Sequence, residues 1–236
     1  MSYESFMSSK GLVALRKPTL LAPEDLDGLT PKELAEIAIH RDMQLHDALE
    51  ELQDQHRQML AERHSHTHDP LTGLANKLLF AERLATEMAH ARRGDTEVTL
   101  LVFDLDQFKQ VNDQFGHLGG DLLLQKVAGR LPKHLTKRNL DLWSRWAGDE
   151  FALILIGTSV DYAEAVAFSV CAELARPFYL SREGVKKRVQ IGASVGIATS
   201  LGRDDTAQAL FERADQALYD AKAAGRGRYR FFSPAE

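Results

Sequence analysis

The first third of the chain carries a long helical pattern of polar and apolar positions. Thr30 and Glu33 have the spacing of a capping box, and Pro31 stands at the first helical position. No Gly or Pro follows until Pro70, which predicts one continuous helix. The 4-3-4-3 spacing of a coiled-coil seam is present at Leu45, Leu49, Leu52, His56 and Met59. Because Asp42 and His56 are polar, we expect a short parallel coiled coil or a partner-dependent helix rather than a rigid rod.

From Thr67 onwards, helical and strand patterns alternate. Apolar spacing predicts helices over residues 76–92, 118–131, 161–175 and 206–224. Apolar runs rich in β-branched residues predict strands over residues 98–106, 150–156, 188–199 and 228–232. The alternation predicts a single α/β (α+β) domain over residues 67–236, with a central sheet surrounded by helices. Residues 1–24 are expected to be a flexible tail and residues 25–66 a helical dimerisation or signalling segment.

Composition excludes several classes of protein. The fractions of hydrophobic (44%) and charged (27%) residues are those of a globular chain. The one cysteine, Cys171, excludes an internal disulfide and a multi-cysteine zinc site, and it favours a reducing cytoplasm. No apolar run reaches the roughly 18 residues of a membrane helix.

The net charge of −5 is concentrated in one segment. Residues 25–63 hold ten acids against four bases, so the rest of the chain is nearly neutral. No segment forms the basic stripe that nucleic-acid binding requires, so a nucleic-acid polymer is not an expected partner.

Two acidic features stand at the ends of apolar strands. Asp104 and Asp106 are two positions apart, so their side chains share one face, where they suit a hard divalent cation or are simply solvated loop acids. Asp149 and Glu150 follow the Ala147–Gly148 turn of a predicted hairpin. Adjacent side chains on a strand diverge, so we expect one of these acids to face Asp104 and the other to make a structural contact.

Six motifs in a fixed order resemble the GGDEF family of diguanylate cyclases across residues 67–236. They are DPLTGLAN (69–76), FDLDQFKQVND (103–113), GHLGGD (116–121), RWAGDEF (145–151), SVGIA (194–198) and ADQALYDAKAAGRGRYRF (214–231). The resemblance implies a fold like the palm of polymerases and class III nucleotidyl cyclases. It also implies that two GTP molecules condense to cyclic di-GMP, each 3′-hydroxyl attacking the α-phosphate of the other GTP.

The resemblance also implies the roles of individual residues. Asp104, the Leu105 carbonyl and Asp149 match the ligands of two divalent ions, Mg²⁺ or Mn²⁺. Asp149 matches the acceptor of the 3′-hydroxyl proton, and Glu150 is a weaker ligand candidate. The positions that match the family's GTP contacts are Asn112 and Asp121 for guanine, His117 for the ribose or the loop, and Phe108, Lys109, Lys222 and Arg226 for the triphosphate.

An RxxD pattern precedes the hairpin. Arg138 and Asp141 lie at the offset at which the family binds its product for allosteric inhibition. Arginine binds guanine or phosphate bidentately, and aspartate accepts from the guanine amine.

Departures from the family pattern leave the acids in place. Ala147 replaces the first glycine of the motif, Lys77 stands where arginine is common, and Gly227 replaces an asparagine. We therefore expect an active cyclase that works as a homodimer with one GTP per subunit, with a regulatory protein as a further possible partner of the N-terminal helix. The alternatives are a non-catalytic cyclic di-GMP receptor that uses Arg138 and Asp141, and an adaptor that acts through the helix alone.

Overall fold

The computed structural model describes residues 28–94, 96–134, 141–182, 185–202 and 204–233, apart from the side chains of residues 60–63, 65, 132–134 and 182. The expected tail, residues 1–24, lies outside this part. The helices are α1 (Pro31–Thr67), α2 (Lys77–Arg92), α3 (Phe108–His134), α4 (Val160–Leu174) and α5 (Ala207–Ala223). The strands are β1 (Val98–Asp106), β2 (Leu142–Ala147), β3 (Glu150–Ile156), β4 (Phe178–Arg182), β5 (Val185–Val189), β6 (Gly192–Thr199) and β7 (Tyr229–Phe231).

The chain divides into two compact units, Met1–His64 and Ser65–Glu236. Most of α1 belongs to the first unit, and it begins with the expected capping box. The backbone N–H of Thr30 donates to Glu33 Oε2 (2.8 Å), and the backbone N–H of Glu33 donates to Thr30 Oγ1 (3.3 Å). The apolar side chains of the seam, Leu45, Leu49, Leu52 and Met59, are all exposed. Among the described residues, none of the helices combines the length and the apolar character needed to cross a membrane.

The second unit is built on a five-stranded sheet with the order β2-β3-β1-β6-β7. β1 lies at its centre and pairs antiparallel with β3 and with β6, so that Leu101 faces Leu153 on one side and Ile197 on the other. β7 is parallel to β6, and β4 and β5 form a separate antiparallel pair. The carboxyl end of β1 therefore lies between the β2–β3 hairpin and the start of β6.

The side chains of β1 alternate between two hydrophobic layers. Leu101, Phe103 and Leu105 pack with α3 and α4 on one face. Leu100 and Val102 pack with α2 and α5 on the other. The expected α+β architecture, a central sheet covered by helices, is thus confirmed.

Three segments differ from the sequence expectation. α3 begins at Phe108, ten residues before the expected helix, and it is interrupted at Gly116, whose φ of 72° and ψ of 173° are not helical. The strand expected over 188–199 is two strands, and β4 was not expected. The helical face of Phe108, Val111 and Phe115 was visible in the sequence, but the surrounding polar residues favoured a turn.

Candidate active site

Asp104 lies at the carboxyl end of β1, with its side chain largely buried (17% exposed). Lys222, in the last turn of α5, places its Nζ 3.1 Å from Asp104 Oδ2. Burial raises the pKa of Asp104, Lys222 lowers it, and the negative charges of Asp149 and Glu150 raise it, so that it lies above its ordinary value. Three carboxylates and one ammonium group therefore interact at this end of the sheet.

The β2–β3 hairpin brings its acidic tip to Asp104. Glu150 is the cross-strand partner of Asp104, and the backbone N–H of Leu105 donates to the Asp149 carbonyl (3.3 Å). Gly148 occupies the tip with a φ of 50°, a conformation that glycine adopts without strain. Ala147 is exposed, so its methyl group is accommodated at this turn.

Arg145 fixes the position of this tip, a role that the sequence patterns did not reveal. Its Nε donates to the Gly148 carbonyl (2.8 Å), and its Nη1 donates to both carboxylate oxygens of Asp69 (3.1 and 3.2 Å). Burial raises the pKa of Asp69, but hydrogen bonds from Thr72 and Arg145 outweigh that effect and hold it below its ordinary value. Both residues belong to motifs quoted above, and their presence there was the available signal.

Asp106 does not share the function of Asp104, although the two side chains were expected to lie together. Asp106 is buried, and its carboxylate accepts from Ser194 Oγ (2.7 Å) and from the backbone N–H of Gly227 (2.9 Å). It therefore ties β1 to β6 and to the loop that follows α5. Of the two readings of this pair, neither metal binding nor solvation describes Asp106.

The break in α3 brings Asn112 against the following glycine-rich segment. A Cβ built on Gly120 would lie 2.0 Å from Asn112 Oδ1 and 3.1 Å from Phe108 Cζ, so the Asn112 amide keeps this position only because residue 120 is glycine. Asn112 and the neighbouring Asp121 are both partly exposed. An amide and a carboxylate are thus available on two adjoining segments of one helix.

The turn between β1 and α3 presents backbone N–H groups. Gln107 has a φ of 63°, and the helix begins at the next residue, where the first N–H groups have no partner within the helix. Phe108 is buried in the core, so only its backbone can face a ligand. Lys109, His117 and Arg226 are exposed, and Arg226 has a left-handed φ of 62°.

The RxxD pair is only partly described. Arg138 lies outside the described residues, whereas Asp141 directly precedes β2 and has both carboxylate oxygens shielded from solvent. The hairpin tip is at the other end of β2, so these two sites are separated by roughly 20 Å of extended chain.

The acidic end of the sheet fits a divalent cation that binds only a few protein groups. Within the described ranges, no three His, Cys, Asp or Glu side chains gather into a metal-binding group. Of the ligands that the family resemblance implies, Asp104 and Asp149 interact electrostatically, and the backbone N–H of Leu105 donates to the Asp149 carbonyl. Such a set suits Mg²⁺, which usually keeps one or two protein carboxylates and completes its shell with water and phosphate.

A family model described as "Diguanylate cyclase, GGDEF domain" matches residues 66–228. The chain therefore belongs to the GGDEF domain family of diguanylate cyclases. It is 42% identical over 161 residues to the diguanylate cyclase DgcP of Pseudomonas aeruginosa, which covers 68% of this chain and 23% of the relative. The chain spans about a third or less of the length of three curated relatives that it matches.

Two solved structures match more of the chain than the unit Ser65–Glu236. The coiled coil and GGDEF domain of DgcB from Caulobacter crescentus, in complex with c-di-GMP, has a TM-score of 0.73 and 28% identity, covering 80% of this chain and 98% of that one. The diguanylate cyclase SiaD from Pseudomonas aeruginosa, in complex with its activator SiaC, has a TM-score of 0.66 and 29% identity, covering 97% of this chain and 80% of that one.

Proposed function

We propose that this protein is a metal-dependent diguanylate cyclase that condenses two GTP molecules into cyclic di-GMP and two pyrophosphates. The observation that carries the proposal is that Asp104, paired with Lys222, lies at the end of the sheet to which the β2–β3 hairpin brings Asp149 and Glu150. Curated diguanylate cyclases with substantial identity over the same domain support it.

In this mechanism each residue has a distinct task. Asp104, Asp149 and the Leu105 carbonyl would hold Mg²⁺ or Mn²⁺, two ions per site, with Glu150 as a weaker ligand. When bound, the cations neutralise phosphate charge and polarise the attacking hydroxyl. Asp149 accepts the proton of the 3′-hydroxyl as that oxygen bonds to the α-phosphorus of the second GTP and pyrophosphate leaves.

The remaining residues bind and orient GTP. Asn112 and Asp121 pair with the polar edge of guanine, so adenine leaves both without partners. His117 holds the ribose or its loop. The triphosphate is bound by the backbone N–H groups at the start of α3, including that of Phe108, and by the positively charged side chains of Lys109, Lys222 and Arg226.

Each subunit supplies one GTP, so the reaction needs a homodimer. The exposed apolar seam of α1 supports pairing of two copies, and the similarity to a structure that includes a coiled coil supports the same arrangement. A regulatory protein at this helix is a further proposed partner, supported by the similarity to SiaD bound to its activator SiaC.

Incubation with GTP and Mg²⁺, followed by chromatography of the nucleotides, tests the proposal. We expect cyclic di-GMP from the wild type and from Asp161→Asn, an exposed control on α4, and none from Asp104→Asn or Asp149→Ala. Cyclic di-GMP that is bound but never formed would identify a receptor instead. Neither formation nor binding would leave an adaptor that acts through α1.

Product inhibition is the final part of the proposal, and it assigns cyclic di-GMP to Arg138 and Asp141. Because Asp141 lies at the opposite end of β2 from the acidic tip, Arg138→Ala should relieve inhibition with little change in initial rate. An inhibition constant that stays the same in the Arg138→Ala, Asp141→Ala double variant would exclude this site.

A further inference from the structure

We infer that Lys222 and the metal ion compete for the same carboxylate oxygen of Asp104, so that the nucleotide has to draw Lys222 away before the metal binds tightly. The inference rests on the proposed function and adds to it an order of assembly at the site. Its geometric basis is the contact of 3.1 Å between Lys222 Nζ and Asp104 Oδ2.

A lysine ammonium and a divalent cation oppose one another's binding at this oxygen. Mg²⁺ requires its ligands at about 2.1 Å, in near-octahedral geometry. An ammonium group about 3 Å from the same oxygen would lie within a few ångström of the ion, where two cations repel strongly in a partly desolvated site. Each cation therefore weakens the binding of the other.

A positively charged partner stabilises the Asp104 carboxylate. Asp104 is largely buried, and the negative charges of Asp149 and Glu150 act on it from the hairpin. Burying a carboxylate without a counter-charge is costly. Lys222 supplies that charge from within the chain.

Release of Asp104 by Lys222 requires movement of the Lys222 side chain only. A Cβ on Gly196 would lie 2.0 Å from the Ala214 carbonyl oxygen and 2.2 Å from the Leu218 nitrogen, so α5 packs with its backbone directly against β6. The loop after α5 is held by the bond from Gly227 to Asp106. The lysine side chain itself is 32% exposed and has four flexible carbons, which allows it to turn towards the phosphates of an arriving nucleotide.

Nucleotide and metal should therefore bind with positive coupling, and Lys222 should carry much of that coupling. By thermodynamic linkage, the factor by which the nucleotide raises the affinity for metal equals the factor by which the metal raises the affinity for nucleotide. Replacing Lys222 with a neutral residue should raise the affinity for metal alone and reduce the benefit that nucleotide adds.

Titration of the full chain with Mn²⁺, followed by the electron paramagnetic resonance of free Mn²⁺, tests this without any turnover. It is carried out alone and with a non-hydrolysable α,β-methylene analogue of GTP. We expect Lys222→Gln to bind Mn²⁺ alone at least about fivefold more tightly than wild type, after allowance for solvent screening of the pair. Lys126→Gln, which removes an exposed lysine from α3, should match wild type.

The double variant Asp104→Asn, Lys222→Gln should not bind Mn²⁺ more tightly than wild type. That result would show that the tighter binding of Lys222→Gln depends on the Asp104 carboxylate. Unchanged or weaker Mn²⁺ affinity in Lys222→Gln, or no measurable binding in either protein, would overturn the inference. Cyclic di-GMP formation by the wild type is measured separately, so that failure here and failure of the proposed function are distinguishable.

Discussion

Asn112 owes its position to the absence of a side chain eight residues further on. Its Oδ1 occupies the space that a Cβ of Gly120 would need, 2.0 Å away. The two residues belong to different motifs, GHLGGD and FDLDQFKQVND, on the two sides of the break at Gly116. The proposed contact of Asn112 with guanine therefore depends on Gly120, which is not itself proposed to contact guanine.

Gly120→Ala should displace the Asn112 amide without unfolding the domain, because the atom that must move is the end of a side chain. We expect GTP binding to weaken about tenfold, the cost of roughly one lost hydrogen bond to a buried polar edge. Calorimetry with the GTP analogue measures it. Gly129→Ala, where the added Cβ meets nothing within 4 Å, is the matched control and should bind like wild type.

Asp104 illustrates a residue kept at a cost to stability. Its raised pKa, caused first by burial, means that the folded chain disfavours the ionised form. Asp104→Asn should therefore have a higher Tm than wild type at pH 7, while it abolishes cyclase activity.

The pH dependence of this difference follows from the sign of the shift. A carboxyl with a raised pKa in the folded state is penalised at high pH and takes up its proton earlier than in the unfolded chain. The gap in Tm between Asp104→Asn and wild type should be full at pH 7 and close as the pH falls to about 4. A lower Tm for Asp104→Asn at pH 7 would contradict this account.

At the scale of elements, the β2–β3 hairpin is aligned by a clamp from outside the sheet. Arg145 joins the Gly148 carbonyl to Asp69, which lies in the turn before α2. The same segment runs beside β2, since the N–H of Ala75 donates to the Trp143 carbonyl (3.2 Å) and the N–H of Arg145 donates to the Ala75 carbonyl (2.9 Å). The acidic tip is thereby positioned relative to β1.

Arg145→Lys should lower kcat more than it raises KM, because lysine keeps the charge but lacks the planar fork needed for both partners. A displacement of the tip by about 1 Å can cost up to about a hundredfold in rate. Steady-state kinetics measure the changes in kcat and in KM separately. Asp69→Asn should likewise lower kcat more than it raises KM. Arg230→Lys, on the exposed face of β7, serves as control. A change in KM alone would show that Arg145 binds substrate rather than aligns the hairpin.

Element boundaries were predictable where the pattern was local. The expected helices over 76–92 and 161–175 agree with α2 and α4 to within a residue, and Asn76 and Ser159 cap them through their side chains. The start of α3 was missed, because the break at Gly116 separates its two halves and the first half follows directly on the acidic end of β1. β4 was missed because it is short and pairs only with β5.

At the scale of the whole molecule, the chain divides into two units. The residues of the proposed active site all lie within the unit Ser65–Glu236. The first unit is acidic, and the seam of α1 exposes Leu45, Leu49, Leu52 and Met59. Such a helix should pair only weakly by itself, because Asp42 and His56 interrupt the seam and like charges oppose association.

Deletion of residues 1–63 should leave a folded domain that binds GTP but has steeply reduced specific activity at low protein concentration. At high concentration the loss should be smaller, because α1 acts by raising the effective concentration of two active sites. Cyclic di-GMP formation measured over a dilution series checks this.

A strong parallel coiled coil fused in place of residues 1–63, in the same helical phase, should restore much of the rate. Equal activity of the truncated and full-length proteins at every concentration would show that α1 docks a partner rather than controls dimerisation.

The sequence by itself determined the family, the buried strands β1 and β3, and the acids at their ends, because contiguous motifs and apolar runs are local properties. Only the tertiary structure decided which partners each acid contacts. Asp104 and Asp106 look equivalent in sequence. The carboxylate of Asp106, however, accepts hydrogen bonds from Ser194 and from Gly227, which is 121 residues away. Arg145 with Asp69, and Lys222 with Asp104, likewise meet only because antiparallel pairing and the packing of α5 on β6 bring distant segments to one end of the sheet.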